Sequence, residues 1–407
     1  MTAITPIRVF VGRRILLGVS GSIAAYKAAD LASRLTQAGA LVDVVLTDSA
    51  LKFVSALTFA SVTGRRVYTD ADLWKADSHL LHVELGRAAE AFVLAPATAQ
   101  TIARLAGGQA DNLLSLAALT ARGPLLLAPA MDAGMFEHLA TQANLDVLRA
   151  RGAIVLGPAE GRMASGLVGL GRMLEPDEIV GHLRLALGRT GPLAGRRVLV
   201  TAGGTHEAID PVRVIANRSS GRQGFALAQA AIDRGADVTL VSGPSALPTP
   251  VGARRIDVVT AAEMQQAVLE HLETTDVLLM AAAVADFRAD PAEQKIKRAA
   301  GELTLKLRPT NDILAQVAQR RQTASRPRVV VGFAAESEDL VANARRKARE
   351  KRLDLIVAND ILAPDAGFAV ETNRVTLIDS SGSVQELPLM SKAEVAEVVL
   401  ERVETLL

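Results

Sequence analysis

The sequence has 407 residues, enough for two or three domains, and its 45 Lys and Arg against 44 Asp and Glu give a net charge of +1. This balance excludes the strongly basic surface that nucleic acid or an anionic membrane requires. With only 3% aromatic residues, the chain also offers few platforms for base stacking. The absence of cysteine excludes disulfides, zinc–thiolate sites, Fe–S clusters and thiol nucleophiles.

Neither the N-terminal residues nor the apolar runs predict a membrane segment or a leader. The longest apolar runs, such as 277–285, are far shorter than the ~18 residues of a membrane-spanning helix. Residues 1–14 lack the apolar segment and cleavage site of a signal peptide. We therefore expect a cytoplasmic protein that binds no membrane and no nucleic acid.

The first half of the chain alternates between apolar runs and segments with helical spacing. Continuous apolar strands separated by helices predict a parallel sheet with helices on both faces. The predicted helices include 23–38 and 176–187. The predicted strands are 14–20, 41–47, 91–95, 124–128 and 153–157.

A break at 188–195, rich in Gly and Pro, predicts a boundary between two α/β domains, 1–189 and 190–407. After it the alternation restarts, with a helix near 224–234 and a helix that closes the chain. The alternating pattern of 302–308 is typical of an edge or hairpin strand. The other predicted strands are 197–202, 236–241, 276–283, 328–334, 354–358 and 374–379.

Ligands of open α/β sheets bind where strands end and helices begin, so the loops at these points are the candidate binding sites. No dinucleotide or P-loop fingerprint is present. Gly21 and Ser22 follow the first strand and suit a phosphate or a flavin, or form only a turn and a helix cap. Thr98 opens a helix of small residues, where it binds an anion or serves as an ordinary cap. Asp132 follows a third strand and is either functional or a turn residue.

Two histidines and a glycine-rich segment are further candidates in the first half. His79 and His82 lie three residues apart, but no third metal ligand is near. An acid–base role for one of them is more plausible than a metal site, although surface histidines are the commoner case. Residues 161–173 hold four glycines, which is typical of a flap over a site or of a plain surface loop.

The second half offers features that suit a Mg²⁺–nucleotide. Ser219, Ser220 and Gly221 precede a helix and form a start suited to an anion. Asp286 ends a buried strand, and Lys295 and Lys297 follow it. These residues form either a metal–nucleotide site or only a salt bridge within a loop. The basic residues of 345–352 line one predicted helix, which is a solvated face or a triphosphate site.

Eight strings in order resemble the bifunctional coenzyme A biosynthesis family, in which phosphopantothenoylcysteine decarboxylase is fused to phosphopantothenate–cysteine ligase. The resemblance covers nearly the whole chain. The strings are Gly21-Ser-Ile-Ala-Ala-Tyr-Lys27, Ala95-Pro-Ala-Thr-Ala99, Pro129-Ala-Met131, Thr201-Ala-Gly-Gly-Thr205 with Asp210-Pro-Val-Arg213, Asn217 with Ser219-Ser-Gly221, Ala281-Ala-Ala-Val-Ala-Asp286, Lys295-Ile-Lys297 and Val331-Gly-Phe-Ala-Ala-Glu336.

The resemblance implies that the first domain is a flavodoxin-like flavoprotein that binds FMN, with sites shared between the subunits of a trimer. His82 matches the base that helps the flavin oxidise the cysteine moiety of the substrate before decarboxylation to 4′-phosphopantetheine. Asp132 and Ser165 match two further catalytic positions. The implied cofactor-binding residues are Gly21, Ser22, Ile23, Thr47, Ala95, Pro96, Ala97 and Thr98.

For the second domain, the resemblance implies a Rossmann-like ligase, again with a largely parallel sheet. CTP with Mg²⁺ at Asp286 activates 4′-phosphopantothenate as an acyl-cytidylate, and the amine of cysteine displaces CMP. Asn217 and Lys295 match catalytic positions. The family forms homo-oligomers, with dimers of this domain and a dodecamer as one assembly. The implied nucleotide-binding residues are Ala282, Asp286, Lys295, Thr310, Asn311, Asp312, Ile313, Phe333, Lys347 and Lys351.

Three positions depart from the family pattern. Asp132 stands where the family has Asn, Ser165 where its flap has Cys, and Arg222 where it usually has Lys. An ionised Asp cannot donate a hydrogen bond to the substrate carboxylate, and a serine hydroxyl is a far weaker acid than a thiol. These departures define an alternative: an active ligase joined to an impaired flavin domain that serves mainly as an FMN-binding oligomerisation scaffold.

Overall fold

A computed structural model describes residues 6–75, 80–162, 166–297, 303–336, 339–360 and 371–407. The chain divides into two compact units between Gly188 and Arg189. Each unit is an α/β fold built on a largely parallel sheet, as the sequence predicts. Within these ranges, no helix has the length and apolar character that a bilayer crossing demands.

The N-terminal unit alternates strands and helices from Arg14 to Gly188. Its strands are β1 (Arg14–Val19), β2 (Leu41–Leu46), β3 (Val67–Thr69), β4 (Ala91–Ala97), β5 (Leu125–Pro129), β6 (Ile154–Val155), β7 (Ala159–Arg162) and β8 (Val168–Arg172). Its α-helices are α1 (Ala25–Gln37), α2 (Ala56–Thr63), α3 (Leu81–Ala88), α4 (Ala99–Gly107), α5 (Leu113–Thr120), α6 (Ala133–Glu137), α7 (Leu139–Ala150) and α8 (Pro176–Gly188). Short 3₁₀ helices cover Arg8–Phe10, Ala50–Lys52 and Asp70–Asp72.

The parallel sheet of this unit has the order β3-β2-β1-β4-β5-β6. Without the short edge strand β3, this is the flavodoxin order. Successive residues of β1 point to opposite faces: Leu17 packs with α1, α2 and α8, and Leu16 packs with α3, α4, α5 and α7. The order in which the chain adds strands to the sheet reverses between β1 and β4. Folds of this kind bind their ligand at such a reversal.

The glycine-rich segment forms an antiparallel ribbon rather than a simple loop. Strands β7 and β8 pair from Ala159↔Arg172 to Arg162↔Val168. The ribbon stands apart from the main sheet of the unit. Residues 163–165, between its strands, lie outside the described part of the chain, and so does Ser165.

The C-terminal unit repeats the same plan. Its strands are β9 (Arg197–Ala202), β10 (His206–Ala208), β11 (Val214–Ala216), β12 (Asp237–Ser242), β13 (Arg254–Asp257), β14 (Val277–Met280), β15 (Phe287–Ala289), β16 (Leu307–Pro309), β17 (Val329–Glu336), β18 (Leu355–Asp360), β19 (Thr372–Asn373), β20 (Val375–Asp379), β21 (Val384–Glu386) and β22 (Met390–Ser391). Its helices are α9 (Arg222–Ile232), α10 (Ala261–His271), α11 (Ile313–Arg320), α12 (Leu340–Glu350) and α13 (Lys392–Leu406), with a 3₁₀ helix at Leu272–Thr274.

The main sheet here has the order β13-β12-β9-β14-β17-β18-β20-β21, parallel as far as β18 and antiparallel beyond it. Its first six positions therefore repeat the order of the N-terminal sheet. One face packs against α10, α11 and α12 through residues such as Leu278 and Ile356. Helix α9 packs on β9 and β12, and α13 packs on α9.

Two predicted strands are shorter than the sequence pattern indicates. The pattern of 302–308 predicts one strand, but of the described residues there, 303–309, only Leu307–Pro309 pairs, antiparallel to Phe287–Ala289. Leu303 and Leu305 are exposed, so the alternation there does not mark a buried face. At 153–157, only Ile154–Val155 pairs with β5.

Candidate active sites at the two strand-order reversals

A buried hydroxyl joins the two loops at the reversal of the N-terminal sheet. Ser20 follows β1 and is 1% exposed. Its Oγ donates to the Pro96 carbonyl oxygen at 2.7 Å and accepts from the Thr98 N–H at 3.0 Å. The bond fixes the start of α1 relative to the start of α4. Sequence analysis missed Ser20, although a hydroxyl directly after a buried strand is a signal that could have identified it.

The loop after Ser20 offers backbone donors to an anion. The backbone N–H groups of Gly21, Ser22 and Ile23 donate no hydrogen bond to any described residue. The N–H of Ala24 is used, because it donates to Ser22 Oγ at 3.3 Å. A Cβ on Gly21 would lie 2.4 Å from Ser49 Cβ, so the close approach of these loops requires glycine. Three unpaired N–H groups ahead of a 13-residue helix fit the phosphate of a mononucleotide.

The other predicted cofactor residues surround the same reversal. Ala95, Pro96 and Ala97 are buried in β4. Thr47 is 8% exposed, and its Oγ1 accepts from the Ala50 N–H at 3.2 Å. Thr98 caps α4 by accepting from the Thr101 N–H. The ordinary capping role considered for Thr98 is therefore present.

The predicted catalytic residues of this unit lie on separate elements. His82 is half-buried on α3, and its backbone carbonyl accepts from Thr120 Oγ1 at 2.9 Å. Asp132 caps α6, with its Oδ1 accepting from the Gly134 N–H at 3.0 Å. Next to it, the Met131 N–H donates to the Gly171 carbonyl oxygen at 3.1 Å, which joins this loop to the ribbon. His79 lies outside the described residues.

A buried lysine anchors the base of the ribbon. Lys27 on α1 is 7% exposed, and its Nζ contacts Glu175 Oε1 at 2.7 Å and the Met173 carbonyl oxygen at 3.3 Å. Arg172 also reaches Glu175, at 3.2 Å. The segment that leaves β8 is therefore held against α1 by a largely desolvated lysine.

In the C-terminal sheet the strand order reverses between β9 and β14, and two buried threonines join the ends of these strands. Thr201 Oγ1 accepts from the Ala282 N–H at 3.1 Å, and Thr205 Oγ1 accepts from the Ala285 N–H at 2.9 Å. The Ala283 N–H donates to the Gly203 carbonyl oxygen at 2.8 Å. The segment after β14 is thereby fixed against the loop after β9.

A cavity of about 460 Å³ opens at this reversal. It brings together residues from the ends of β14, β17 and β18, the starts of α9, α11 and α13, and helix α12. Most of the predicted nucleotide and acyl residues line it. These are Asn217, Ala282, Asp286, Thr310, Asn311, Asp312, Ile313, Phe333, Lys347 and Lys351.

Hydrogen bonds fix several of these side chains. Asn217 Nδ2 donates to the carbonyl oxygens of Ala283 and Val284 at 3.2 and 3.1 Å. Thr310 Oγ1 donates to the Ala285 carbonyl oxygen at 2.6 Å, and Asn311 Nδ2 donates to the side chain of Gln265. Ile313 is 4% exposed and is a core residue, so its side chain offers little surface to a ligand.

Asp312 connects α11 to the lysines of α12. It caps α11 by accepting from the Ala315 N–H at 2.9 Å, and Lys351 Nζ contacts its Oδ2. Burial raises the pKa of Asp312, but the hydrogen bonds from Lys351 and Ala315, with the nearby charge of Lys347, lower it overall. The carboxylate is therefore ionised and partly neutralises this lysine pair.

Lys295 does not line the cavity. It is exposed on a segment whose next residue, Ile296, is held by Asp210. Asp210 Oδ2 accepts from the Ile296 N–H at 3.2 Å and from Arg213 Nη1 at 2.7 Å. Asp210 is 3% exposed, so it is a firm anchor for this segment.

Five further polar residues line the cavity, and sequence analysis did not place them there: Arg222, Gln223, Asn359, Asn373 and Lys392. Gln223 Oε1 and Asn359 Oδ1 are buried acceptors without a hydrogen-bond partner in the described chain. A ligand with hydroxyl or amide donors would satisfy them.

Lys392 is the first residue of α13. The capping box formed by Ser391 and Glu394 could have located that helix start from the sequence. A lysine in the first turn opposes the helix dipole, which is a further signal.

The described residues contain no group of three His, Asp or Glu side chains able to hold a metal ion. Asp286 is exposed at the cavity, and its backbone carbonyl accepts from the Thr310 N–H at 2.9 Å. A single carboxylate fits Mg²⁺ only when substrate phosphates supply further ligands, which is the usual arrangement for this ion.

Comparison with known proteins gives matches over both units. The family model described as "Flavoprotein" matches residues 8–187, and that described as "DNA/pantothenate metabolism flavoprotein C-terminal domain" matches residues 193–407. A Coenzyme A biosynthesis bifunctional protein CoaBC of Bacillus subtilis (strain 168) is 44% identical, with 97% of each chain covered. The protein of that name from Vibrio cholerae serotype O1 is 47% identical over 96% of this chain and 97% of its own.

A solved structure is also similar. It is described as the crystal structure of the C-terminal domain of Coenzyme A biosynthesis bifunctional protein CoaBC. It is 38% identical and covers 53% of this chain and 97% of its own, with a TM-score of 0.45.

Proposed function

The chain belongs to the family of coenzyme A biosynthesis bifunctional proteins CoaBC, and from this membership we propose how its two units divide the work. It is an enzyme of coenzyme A biosynthesis with ligase and decarboxylase activities. We assign decarboxylation of 4′-phosphopantothenoylcysteine to the N-terminal unit, and ligation of cysteine to 4′-phosphopantothenate to the C-terminal unit. The observation that carries this assignment is the match over 97% of the chain, with both family models in order.

The ligase reaction must first give a carboxylate a leaving group. The carboxylate oxygen of 4′-phosphopantothenate attacks the α-phosphorus of CTP, and pyrophosphate leaves with the electron pair of the broken P–O bond. The amine of cysteine then attacks the acyl carbon of the acyl-cytidylate, CMP leaves, and the amine loses a proton. The cations and helix N-termini around the cavity support this choice, because they stabilise negative charge on the transferred phosphoryl group.

The residues at the cavity divide into positioning and binding groups. Asn217 donates its amide hydrogen bonds to the carbonyl oxygens of Ala283 and Val284, so it would hold the 282–286 segment beside the reacting groups. Asp286 would hold Mg²⁺ together with the phosphates of CTP. Lys347 and Lys351, four residues apart on α12, would meet the nucleotide. Lys295 would approach from the segment that Asp210 anchors.

For the decarboxylase, the unpaired N–H groups of Gly21, Ser22 and Ile23 would bind the phosphate of FMN. FMN supplies reversible two-electron oxidation when it is bound. Ser20 keeps both cofactor loops in place, and His82 would take a proton from the cysteine moiety of the substrate. The ribbon of β7 and β8 would limit the access of water.

The alternative of an impaired flavin half receives no support from the comparisons, since the matched relatives are described as bifunctional. The structure also gives Asp132 a role that Asn fills equally well, because both residues cap helices with a side-chain oxygen.

We also propose that the protein is a homo-oligomer, with trimers of the N-terminal unit and dimers of the C-terminal unit. Exposed apolar side chains of the N-terminal unit, among them Tyr26, Leu57 and Trp74, support an interface there.

Product analysis tests the two activities separately on the full chain. With 4′-phosphopantothenate, cysteine, CTP and Mg²⁺, we expect CMP in an amount equal to the sum of 4′-phosphopantothenoylcysteine and 4′-phosphopantetheine, because the N-terminal unit consumes the ligation product. With 4′-phosphopantothenoylcysteine alone, we expect 4′-phosphopantetheine and CO₂. Product in the first assay and none in the second would restore the scaffold alternative, and no product in either would refute the proposal.

The role of His82 has its own test. We expect His82→Asn to retain FMN but to abolish flavin bleaching by 4′-phosphopantothenoylcysteine. His138→Asn is the control, because His138 only caps α7. Equal bleaching by wild type and His82→Asn would move the base to another residue, with His79→Asn as the next variant.

A further inference from the structure

The loop between β10 and β11 holds the segment that carries Lys295. Asp210 lies in this loop and is 3% exposed. Its Oδ1 accepts hydrogen bonds from the backbone N–H groups of Val212 and Arg213, both at 2.8 Å. Its Oδ2 accepts from Arg213 Nη1 at 2.7 Å and from the Ile296 N–H at 3.2 Å. One carboxylate oxygen therefore fixes the loop itself, and the other fixes the residue next to Lys295.

Two more hydrogen bonds attach the same segment to the loop. Arg213 Nη1 also donates to the Ile296 carbonyl oxygen at 3.1 Å, so both backbone polar groups of Ile296 are held. The Ala292 N–H donates to the Ile209 carbonyl oxygen at 2.9 Å. Residues 292–296 are thereby held at both ends against the loop that contains Asp210.

Asp210 makes these contacts as a buried carboxylate anion. Burial raises the pKa of Asp210, but hydrogen bonds from the N–H groups of Val212, Arg213 and Ile296, with the charge of Arg213, lower the pKa overall. Each carboxylate oxygen accepts from two donors. Because a buried anion that loses its donors is strongly destabilised, the carboxylate and the segment keep one arrangement.

The hairpin of β10 and β11 also reaches the cavity. Asn217 follows β11, lines the cavity and donates to the carbonyl oxygens of Ala283 and Val284. Asp210, at the turn of the hairpin, holds the segment of Lys295. The hairpin therefore joins the cavity wall to this segment and determines where the segment lies relative to the cavity.

Lys295 depends on the backbone that carries it. Its side chain is exposed and makes no hydrogen bond or ion pair with the described residues. We propose that Asp210 is a positioning residue of the ligase, which holds residues 292–296 so that Lys295 meets the phosphates of CTP. This inference rests on the proposed function, in which Lys295 approaches the nucleotide from this segment. A displacement of about 1 Å at a reacting group lowers a rate roughly 10²-fold, so such a support has a large effect.

The variant Asp210→Asn separates the roles of the two oxygens. Asparagine has one acceptor oxygen, and its amide nitrogen only donates. With the oxygen toward the N–H groups of Val212 and Arg213, the amide nitrogen faces the Ile296 N–H and Arg213 Nη1, which are both donors. The variant thus keeps the loop and loses the attachment of the segment.

Asp276→Asn is the matched control. Asp276 is also 3% exposed, and its Oδ2 accepts from the Arg197 N–H at 3.0 Å. It precedes β14, whereas the cavity lies beyond the end of that strand. The control therefore disturbs a buried carboxylate of the same unit at the opposite edge of the sheet.

The measurement is kcat for pyrophosphate release by the full chain with saturating CTP, Mg²⁺, 4′-phosphopantothenate and cysteine. We expect Asp210→Asn to lower kcat about 10- to 100-fold and Asp276→Asn to change it less than about threefold. Lys295→Ala and the double variant Asp210→Asn with Lys295→Ala should agree within about threefold, because the support has no further effect once the lysine is gone. A merely structural role of Asp210 would instead multiply the two losses.

Three results would overturn the proposal: kcat of Asp210→Asn within about threefold of wild type, losses that multiply in the double variant, or near-normal kcat in Lys295→Ala. In each of them the wild type still forms product, so the proposed function stands. If the wild type releases no pyrophosphate, the proposed function itself fails.

Thermal unfolding accompanies each assay, and every rate is measured below the melting temperature of the variant. If Asp210→Asn fails to fold, Arg213→Ala decides the matter, because the Arg213 side chain is 43% exposed. It removes the Nη1 contacts with Asp210 and the Ile296 carbonyl oxygen. This variant must lower kcat in the wild-type background and leave it unchanged in the Lys295→Ala background; any other result contradicts the proposal.

Discussion

The two units have the same strand order, and in each a buried hydroxyl joins the two strand ends at the point where that order reverses. The charges around the two candidate sites differ. In the N-terminal unit, Ser20 joins β1 to the end of β4; in the C-terminal unit, Thr201 joins β9 to the end of β14. Both hydroxyls are buried. In each case a hydroxyl in or directly after the first strand accepts a hydrogen bond from a backbone N–H beyond the end of the neighbouring strand.

The ligand groups beside these hydroxyls are different. The N-terminal reversal offers neutral backbone N–H groups of Gly21, Ser22 and Ile23. The C-terminal reversal adds charged side chains, which are Arg222, Asp286, Asp312, Lys347, Lys351 and Lys392. The common sheet topology thus determines where a ligand binds. The charges of the surrounding side chains determine how much negative charge the bound ligand can have. One phosphate suits the first site, and a triphosphate with a metal ion suits the second.

The largest effect should come from removing charge at the C-terminal site. We expect Asp286→Ala and Lys295→Ala each to lower the ligase rate ~10²- to 10³-fold, because a preorganised charge contributes that much to catalysis. The flavin content should stay unchanged. The measurement is CMP release under saturating substrates.

Asp290→Ala is the matched control for Asp286→Ala, because Asp290 is an exposed aspartate that pairs with Arg308 and does not line the cavity. Near-normal CMP release from both the Asp286 and the Lys295 variants would show that these residues are not part of the nucleotide site.

The hydroxyl contacts should give a smaller effect, and an unequal one. Ser20→Ala leaves the Thr98 N–H without its partner and removes the shorter of two hydrogen bonds to the Pro96 carbonyl, at a cost of about 1–3 kcal/mol. At roughly 2–4 °C per kcal/mol for a unit of this size, melting should fall by several degrees. Thr201→Val keeps the side-chain shape, and Ala282 is only half-buried at the cavity, so its N–H is less strictly shielded from water.

We therefore expect Thr201→Val to lower the melting temperature less than Ser20→Ala does. Ser61→Ala is the surface control, since the Ser61 hydroxyl bonds only its own helix. Equal melting temperatures for Ser20→Ala, Ser61→Ala and wild type would mean that the hydroxyl contact does not stabilise the reversal.

The sequence predicts the two sheets well, because buried parallel strands are continuous apolar runs. It does not predict that helices α9 and α13 begin side by side. Lys392 meets Arg222 only because α13 packs parallel to α9, and no local pattern encodes a contact across 170 positions such as Arg234–Glu404. Likewise, the charge run 345–352 does not reveal that Lys347 and Lys351 face the cavity while Arg345 and Arg346 are exposed.

Acid should weaken an ion-paired carboxylate of the N-terminal unit, Asp72. Burial raises the pKa of Asp72, but hydrogen bonds from Lys75, Thr69 and Arg66 outweigh it and lower the pKa to about 2. Because the folded pKa lies below the unfolded value of ~3.9, the stabilisation is complete above that value. It is lost as the pH falls from about 4 to about 2.

Asp72→Asn should therefore destabilise the N-terminal unit at neutral pH, by about 1–2 kcal/mol after allowance for solvent screening by the exposed Lys75 and Arg66. The difference from wild type should shrink as the pH falls toward 2. Urea unfolding across this pH range measures it, and a constant difference at every pH would contradict the assigned cause. Ligase activity at neutral pH should not change.

The smallest effect should come from Asp132→Asn, and its counterpart in the other unit explains why. Asp132 and Asp312 both cap a helix, at 3.0 Å from the Gly134 N–H and 2.9 Å from the Ala315 N–H. Asn caps helices as well as Asp does, so the cap at 132 survives the exchange. At 312 the charge also holds Lys351, so Asp312→Asn should weaken CTP binding. We expect Asp132→Asn to change the decarboxylation rate less than about threefold, whereas Asp132→Ala loses a cap worth about 1 kcal/mol. Stopped-flow measurement of flavin reduction separates the cases: a tenfold acceleration in Asp132→Asn would mean that the carboxylate repels the substrate, and the impaired-domain alternative would then return.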